Sequence, residues 1–201
     1  MKRALLLSGG MDSIALAWWL RPEFAITIDY GQRPAKAEIE ASAQVSKSLG
    51  IPHRVVRVDA SAMGSGDLAG RAALGVAPAS DWWPYRNQLL VTFAGAYALA
   101  EGCGALLLGT VSTDATHLDG TPEFIARMSA LMVCQEGGLR VEAPAIQLTT
   151  GELIKRSGVP AQMLAWSHSC HKSNMPCSEC RGCYKQMNVI EALGGSIDAL
   201  A

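Results

Sequence analysis

No apolar run in this chain reaches the roughly 18 residues that a membrane-spanning helix needs, and neither sign of charge is in excess. The 201 residues include 17 lysines and arginines and 18 aspartates and glutamates, for a net charge of −1. The chain therefore has no overall basic field to attract bulk nucleic acid or an anionic membrane. Asp12 interrupts the apolar N-terminal stretch, which argues against a signal peptide. These absences predict a cytoplasmic protein without a membrane partner.

Hydrophobic residues make up 49% of the chain, which is typical of a folded domain with a sizeable core. Apolar segments alternate with segments of helical periodicity, and this alternation predicts an α/β fold with a parallel five-stranded sheet and helices on both faces. The predicted strands cover 3–7, 24–30, 53–60, 105–111 and 139–146. The predicted helices cover 12–20, 35–50, 87–104, 122–137, 149–158 and 184–194. Residues 61–84 are predicted to form a long loop, and we expect one domain over 1–201.

The segment Ser8-Gly9-Gly10-Met11-Asp12-Ser13, here called the Gly-rich loop, lies between the first predicted strand and helix. Ligands of parallel sheets bind beyond the carboxyl ends of the strands. Glycines let the backbone approach a ligand closely, and the free amides of a first helical turn attract anions. The loop therefore predicts a phosphate site, in which Asp12 would need a bridging Mg²⁺. A simple strand-to-helix turn is the alternative, and neither a Walker loop nor a G-x-G-x-x-G motif is present.

Four of the six cysteines follow the spacing C-x6-C-x2-C-x2-C, at Cys170, Cys177, Cys180 and Cys183. Four thiolates can close a tetrahedral structural Zn²⁺ site. An iron–sulfur cluster is the less favoured alternative, and His168 or His171 could replace a cysteine as ligand. We place this cysteine segment at about residues 166–186. Cys103 and Cys134 are expected in the hydrophobic core.

The Gly-rich loop resembles the pyrophosphate loop, SGGxDS, of the PP-loop ATP pyrophosphatase superfamily, whose fold is Rossmann-like. Combined with the cysteine segment, the chain resembles the 7-cyano-7-deazaguanine synthase family along essentially its whole length. The other matching stretches are DYGQR at 29–33 followed by Glu38-Ile39, PYRN at 84–87, LGTVSTD at 108–114, DGTPEF at 119–124 and EAPAI at 142–146.

This resemblance implies an ATP-dependent ligase that forms C–N bonds. It would adenylate 7-carboxy-7-deazaguanine and use ammonia to make 7-cyano-7-deazaguanine, a step of queuosine biosynthesis. Structural Zn²⁺ and Mg²⁺ with ATP are the implied cofactors, and a homodimer is a candidate assembly. The residues assigned to ATP binding are Ser8, Gly9, Gly10, Met11, Asp12, Ser13, Asp29, Tyr30 and Gly109. Those assigned to catalysis are Asp12, Ser13, Arg33, Arg86 and Lys155. Those assigned to the deazapurine are Arg86, Asn87, Asp114 and Asp119.

The chain departs from the family pattern near the acceptor, which is typical of a diverged member. Pro34 replaces a histidine, and the stretch at 117–120 lacks the family's cysteine. A lysine of the family falls at Thr150 here, and Lys155 is the candidate to replace it.

Two other functions therefore stay open. A diverged relative could join the activated deazapurine to an amine on a protein or nucleic acid, as in anti-phage defence systems. The third candidate is a zinc-loop binding module without catalysis, which the intact Ser8, Asp12 and Ser13 oppose.

Overall fold

The computed structural model describes residues 1–192. Its strands are β1 (Arg3–Leu6), β2 (Phe24–Asp29), β3 (His53–Arg57), β4 (Ala105–Leu108) and β5 (Arg140–Glu142). Its helices are α1 (Met11–Leu20), α2 (Ala35–Leu49), α3 (Gly66–Ala69), α4 (Arg86–Ala100), α5 (Pro122–Val133), α6 (Thr150–Ser157), α7 (Ala161–Leu164) and α8 (Arg181–Ala192). All strand pairs are parallel, in the order β3-β2-β1-β4-β5. The predicted five-stranded parallel sheet is confirmed.

The strand order changes direction at β1, which pairs with β2 on one side and with β4 on the other. Ala4 lies opposite Phe24 in the first pair and opposite Leu106 in the second. Connections leaving β1 and β4 diverge at such a point, and a crevice opens at the carboxyl ends of the strands. The Gly-rich loop directly follows β1, so the topology places it at this crevice.

The strands carry apolar side chains on both faces, and each face has its own core. Leu5, Leu7 and Leu107 pack with residues of α1, α2, α6 and α7. Ile26 and Leu106 pack on the opposite face with residues of α4 and α5. Because successive side chains of a strand point to opposite faces, a continuous apolar run such as residues 4–7 supplies both cores. The prediction of helices on both faces is confirmed.

Several predicted elements are longer than the observed ones, and two short helices were not predicted. The strand predicted over 139–146 ends at Glu142 because Pro144 cannot donate to the ladder. The segment 61–84 is not one continuous loop, since it contains a 3₁₀ turn (Ser61–Met63) and α3. The short helix α7 was also missed. Residues 193–194 of the last predicted helix lie outside the described part.

Cys103 is buried, as predicted, whereas the core placement of Cys134 is wrong because Cys134 is exposed just after α5. The single domain over residues 1–201 stays a prediction. Within residues 1–192, no helix combines the length and apolar character needed to cross a membrane.

Glycine is required at position 9 both by a left-handed backbone conformation and by the close approach of α2. A comparison with Gly102 separates these two requirements. Both have left-handed backbone, with φ of +77° and +74°. A Cβ on Gly9 would lie 2.7 Å from the backbone oxygen of Glu38, whereas one on Gly102 would meet nothing within 4 Å. We expect Gly102→Ala to cost about 1 kcal/mol of unfolding free energy from backbone strain alone. Gly9→Ala should cost clearly more because α2 must also move. Equal losses in urea denaturation would contradict this.

Candidate active site

The Gly-rich loop presents unpaired amides at the start of α1. The helix begins at Met11, and no side chain caps its first turn, which leaves these N–H groups free for an anion. The hydroxyl of Ser8 lies 3.2 Å from that of Ser13, which in turn donates to the carbonyl of Gly10 at 2.9 Å. At the end of β4, a Cβ on Gly109 would lie 3.0 Å from the backbone nitrogen of Ser13. The two strand ends therefore approach each other at the loop.

A cavity of about 710 Å³ opens at the carboxyl ends of the strands, a size typical of ligand sites. Most of the residues predicted for the site line it, namely Ser8, Gly10, Met11, Asp12, Ser13, Tyr30, Arg86, Asn87, Gly109, Asp114 and Asp119. The structure therefore brings together, in one concave space, residues that the sequence distributes over more than a hundred positions.

Four residues predicted for the site lie outside the cavity lining: Gly9, Asp29, Arg33 and Lys155. Gly9 forms the back of the loop, against α2. Asp29 lies at the end of β2, with Oδ2 3.7 Å from Nε of Arg57. Arg33 is exposed, and Lys155 is exposed in the last turn of α6. The structure does not bring Lys155 to the space that Thr150 lines.

A lysine that the sequence analysis missed, Lys185 of α8, occupies the loop end of the cavity. Its Nζ lies 2.8 Å from Oδ2 of Asp12 and 3.1 Å from Oδ1 of Asp114. Burial disfavours the charged amine, but the carboxylates of Asp12 and Asp114 outweigh it and hold the pKa of Lys185 above its usual value. The other oxygen of Asp114 accepts the N–H of Val111 at 3.1 Å. Asp114 thus holds both a turn and the lysine.

Two buried polar atoms beside this ion pair, Oδ1 of Asp12 and Oγ1 of Thr150, lack a hydrogen bond of good geometry among the described residues. The Thr150 hydroxyl is nevertheless close enough to Asp12 to help lower the pKa of its carboxyl. Burial raises the pKa of Asp12, and Lys185 opposes that rise. Buried polar atoms are normally satisfied, and Oδ1 of Asp12 can accept a further partner. A hard cation such as Mg²⁺ prefers carboxylate oxygen, and Oδ1 of Asp12 suits that preference.

The cavity lining also contains Tyr30, Glu38, Arg86, Asn87 and Asp119. Oδ2 of Asp119 accepts the backbone N–H of Asn87 at 3.2 Å, and its carbonyl accepts the Asn87 amide at 2.9 Å, which fixes the start of α4. Arg86 forms no direct ion pair with a described residue. Burial would lower the pKa of its guanidinium, but Tyr30, Asp119, Asp81 and Glu38 lie close enough to hold that pKa above its usual value. A guanidinium that lines a cavity is suited to bind a carboxylate or phosphate.

Glu38 has an unusual protonation state in this environment. Burial raises its pKa from 4.5 to about 7, although Gln32, which donates to Oε2 at 2.7 Å, and Arg86 oppose the rise. Glu38 can therefore exchange a proton near neutral pH. Sequence reasoning quoted Glu38 as part of a motif without assigning it a role.

A further cluster on the cavity wall centres on Asp81. Its Oδ1 accepts Nη1 of Arg181 at 2.8 Å, and its Oδ2 lies 3.5 Å from Nε2 of His117 and 3.4 Å from Nδ1 of His171. Burial alone would raise the pKa of Asp81, but these three neighbours hold it well below its usual range. Neither histidine belongs to the cysteine cluster described next.

The thiolates of Cys170, Cys177, Cys180 and Cys183 converge within 4.8 Å of one another. The Sγ atoms are 3.9 Å apart in the pair Cys177–Cys183 and 4.0 Å apart in the pair Cys170–Cys180. Four sulfurs at about 2.3 Å from one tetrahedral ion would be about 3.8 Å apart, so the residues fit a single metal ion. Backbone N–H groups point at these sulfurs from His171, Lys172 and Cys183.

The cysteine segment also forms a wall of the cavity. The backbone N–H of His168 donates to the carbonyl of Gly9 at 2.9 Å, and the side chain of Asn174 accepts the N–H of Ala37 at 3.0 Å. His168 and His171 both line the cavity, as do Arg181 and Lys185. The cysteine segment and the Gly-rich loop therefore form one structural unit.

The parallel sheet with a Gly-rich loop at its switch point defines an α/β protein of the PP-loop type. Residues 2–194 match the family model described as "Queuosine biosynthesis protein QueC", and the chain belongs to this family. A 7-cyano-7-deazaguanine synthase of Methanosarcina barkeri is 30% identical, over 96% of this chain and 95% of its own. The 7-cyano-7-deazaguanine synthase of Desulforudis audaxviator is 32% identical, over 97% of this chain and 99% of its own. The predicted membership in this enzyme family is confirmed.

Two solved structures support the same fold. The U34-tRNA thiolase NcsA from Methanococcus maripaludis, solved with its [4Fe-4S] cluster, aligns with a TM-score of 0.55 at 18% identity, over 96% of this chain and 65% of its own. The NMN synthetase of Francisella tularensis aligns with a TM-score of 0.52 at 15% identity, over 100% and 80%. At these identities the likeness extends to the fold alone.

The raised pKa of Glu38 predicts a pH-dependent contribution to stability. Since the folded state keeps this proton to about pH 7 and the unfolded state loses it near 4.5, unfolding free energy should fall as pH rises between those values. Glu38→Gln removes this effect and can still accept from Gln32. As the pH rises from 4.5 to 7, the unfolding free energy of the variant should increase relative to that of wild type by up to about 3 kcal/mol. Urea denaturation at pH 5 and 8 tests this, and an equal difference at both would contradict it.

Loss of one cluster thiolate should weaken nucleotide binding as well as metal binding. We expect Cys180→Ser to lose its bound metal by elemental analysis and to bind ATP at least about tenfold more weakly by calorimetry. The physical reason is that the cluster holds His168 at the loop. Cys134→Ser, an exposed cysteine outside the cluster, is the control and should match wild type in both assays. Unchanged ATP binding by metal-free Cys180→Ser would show that the wall forms without the metal.

Proposed function

We propose that this chain uses ATP to adenylate 7-carboxy-7-deazaguanine and converts it with ammonia to 7-cyano-7-deazaguanine. The observation that carries the proposal is the cavity itself. It is lined both by the Gly-rich loop with its free amides and by Arg86, in a chain that matches this family from residue 2 to 194. The relatives named above are synthases, which favours the nitrile product over the amide-forming alternative.

The loop end would bind the phosphates. The amides of residues 10–13 and the hydroxyls of Ser8 and Ser13 are donors for the β- and γ-phosphates, and Mg²⁺ bound by Asp12 would neutralise part of their charge. Met11, Tyr30 and Gly109 line the adjoining surface for the nucleoside, and Asp29 lies at the neighbouring strand end. Arg33 and Lys155 have no part in this scheme because both lie outside the cavity lining.

The part of the cavity lined by Arg86, Asn87 and Asp119 would bind the deazapurine. Arg86 is the proposed partner of the substrate carboxylate, which it would orient towards the α-phosphate. Asp119 uses Oδ2 for the backbone of Asn87, which leaves Oδ1 to accept from an N–H of the guanine-like ring. Asn87 is a further candidate for contacts with this ring, whereas Asp114, the other residue assigned to it, already uses its carboxylate for Lys185 and Val111.

The chemistry proceeds through two activations. A carboxylate oxygen attacks the α-phosphorus, the bond to the bridging oxygen of the β-phosphate breaks, and pyrophosphate leaves. Ammonia then attacks the acyl carbon, AMP leaves, and one proton is lost to give the primary amide. The amide oxygen attacks the α-phosphorus of a second ATP, pyrophosphate leaves, and the nitrogen loses one proton to give an imidoyl adenylate. Loss of AMP and of the second N–H proton then leaves the nitrile. Both adenylates must be shielded from water, which suits a site within a walled cavity.

We further propose that the cysteine cluster holds a structural Zn²⁺. The support is the sulfur spacing, since thiolates within 4.8 Å of one another surround one ion, whereas a multi-iron cluster inserted between them would push them apart. With four protein ligands the ion has no open position for substrate. Its role would be to fix the wall of the cavity.

The test is incubation with ATP, Mg²⁺, 7-carboxy-7-deazaguanine and ammonium, analysed by mass spectrometry. A nitrile supports the proposal. A stable amide or a macromolecular conjugate would instead support the diverged ligase, and no AMP release with this acid would contradict both.

We expect Asp12→Asn to lower AMP release by about 100-fold or more, because the carboxylate that would share Mg²⁺ with the phosphates is lost. Glu40→Gln, a carboxylate exposed on α2, is the matched control and should retain wild-type turnover. Wild-type rates in Asp12→Asn would refute the assigned role.

A further inference from the structure

Lys185 stands out because the described residues provide no other cation at the loop end of the cavity that pairs with Asp12 or Asp114. Its Nζ is 2.8 Å and 3.1 Å from these two carboxylates. The side chain is 36% exposed, so its free surface faces the cavity rather than protein. An ammonium has three N–H donors. Two of them suffice for the carboxylates, which leaves one for a ligand.

The surroundings of Lys185 favour an anionic ligand at this point. Asp12 and Asp114 place two negative charges beside the amides that would hold a polyphosphate, and their repulsion would oppose binding. Thr150, which replaces a lysine of the family pattern, lines the same space and offers only a hydroxyl. Lys185 brings a positive charge to this space from a different helix.

The cysteine segment fixes the position of Lys185. Helix α8 begins at Arg181, and Cys183 lies within its first turn, two residues before the lysine. The backbone under this turn is tightly packed, since a Cβ on Gly182 would overlap the carbonyl oxygen of Ser169. The residue after Lys185, Gln186, donates a hydrogen bond from its side-chain amide to Oγ of Ser167 at 3.1 Å. Lys185 is therefore held on a rigid element, as a group that must meet reacting atoms should be.

We propose that Lys185 is a catalytic residue that donates a hydrogen bond to the phosphates of ATP and neutralises charge on the departing pyrophosphate. This inference rests on the proposed function for the identity of the reaction, and on the geometry of Lys185 for the contact. On ATP binding, the ammonium keeps its place near Asp114 and gives its free N–H to a phosphate oxygen. The charge that develops on the bridging oxygen as the α-phosphorus bond breaks is then met by a cation already in position.

The experiment compares Lys185→Ala and Lys185→Arg with Lys47→Ala, an exposed lysine in the last turn of α2 that serves as control. We expect Lys185→Ala to lower the kcat for pyrophosphate release by about 100-fold or more, with an unchanged KM for the deazapurine acid. Lys185→Arg should recover part of the rate because it keeps the charge. Urea denaturation and metal content identify any variant that is merely misfolded.

Binding of ATP with Mg²⁺, measured by calorimetry, separates this inference from the proposed function because it needs no acceptor. If wild type releases no AMP with 7-carboxy-7-deazaguanine, the proposed function fails. A folded Lys185→Ala that binds ATP at least tenfold more weakly than Lys47→Ala would still support the phosphate contact. Folded, metal-containing Lys185→Ala with both wild-type affinity and wild-type pyrophosphate release would overturn the inference. A loss that Lys185→Arg does not recover in either assay would also overturn the charge-based role.

Discussion

The ion pair between Asp12 and Lys185 joins the first helix of the chain to the last, and the arrangement of the cavity depends on it. Burial of the Asp12 carboxylate is unfavourable in isolation, and the ammonium at 2.8 Å offsets that cost. The same contact brings α8 over the crevice at the switch point of the sheet. Asp114 is the second acceptor of Lys185. The two contacts together offset buried charge and fix the position of α8 along the cavity.

The cysteine cluster extends this constraint to the rest of the site. Its four thiolates fix the turn from which α8 begins, and the neighbouring His168 is hydrogen-bonded to the Gly-rich loop. A metal bound by these cysteines would therefore affect the ligand site directly, because the segment that it would close carries Arg181 and Lys185 into the cavity. Small domains often use metal ions to stabilise short loops, and here the loop that a metal would stabilise forms part of the cavity wall.

Much of this architecture could be predicted from sequence because the signals are local. Buried apolar runs bounded by glycine marked the strands, and the Gly-rich loop and the cysteine spacing marked both ends of the site. Lys185 was missed because its partners are 173 and 71 residues away and nothing beside it shows what it faces. The Asp81 cluster was missed for the same reason. The choice of Lys155 followed its closeness in sequence to Thr150, whereas the fold supplies the nearby amine from another helix.

The separation between Asp12 and Lys185 also bears on how the protein is made. Domains acquire their structure as the chain emerges during synthesis, and the sheet core from β1 to β4 needs only about the first half of this chain. The cavity, by contrast, lacks a wall and a cation until α8 has emerged. A nascent chain could thus hold a nearly complete sheet and still be unable to hold a nucleotide in its final geometry. The site proposed for the nucleotide would therefore be complete only after α8 has been synthesised.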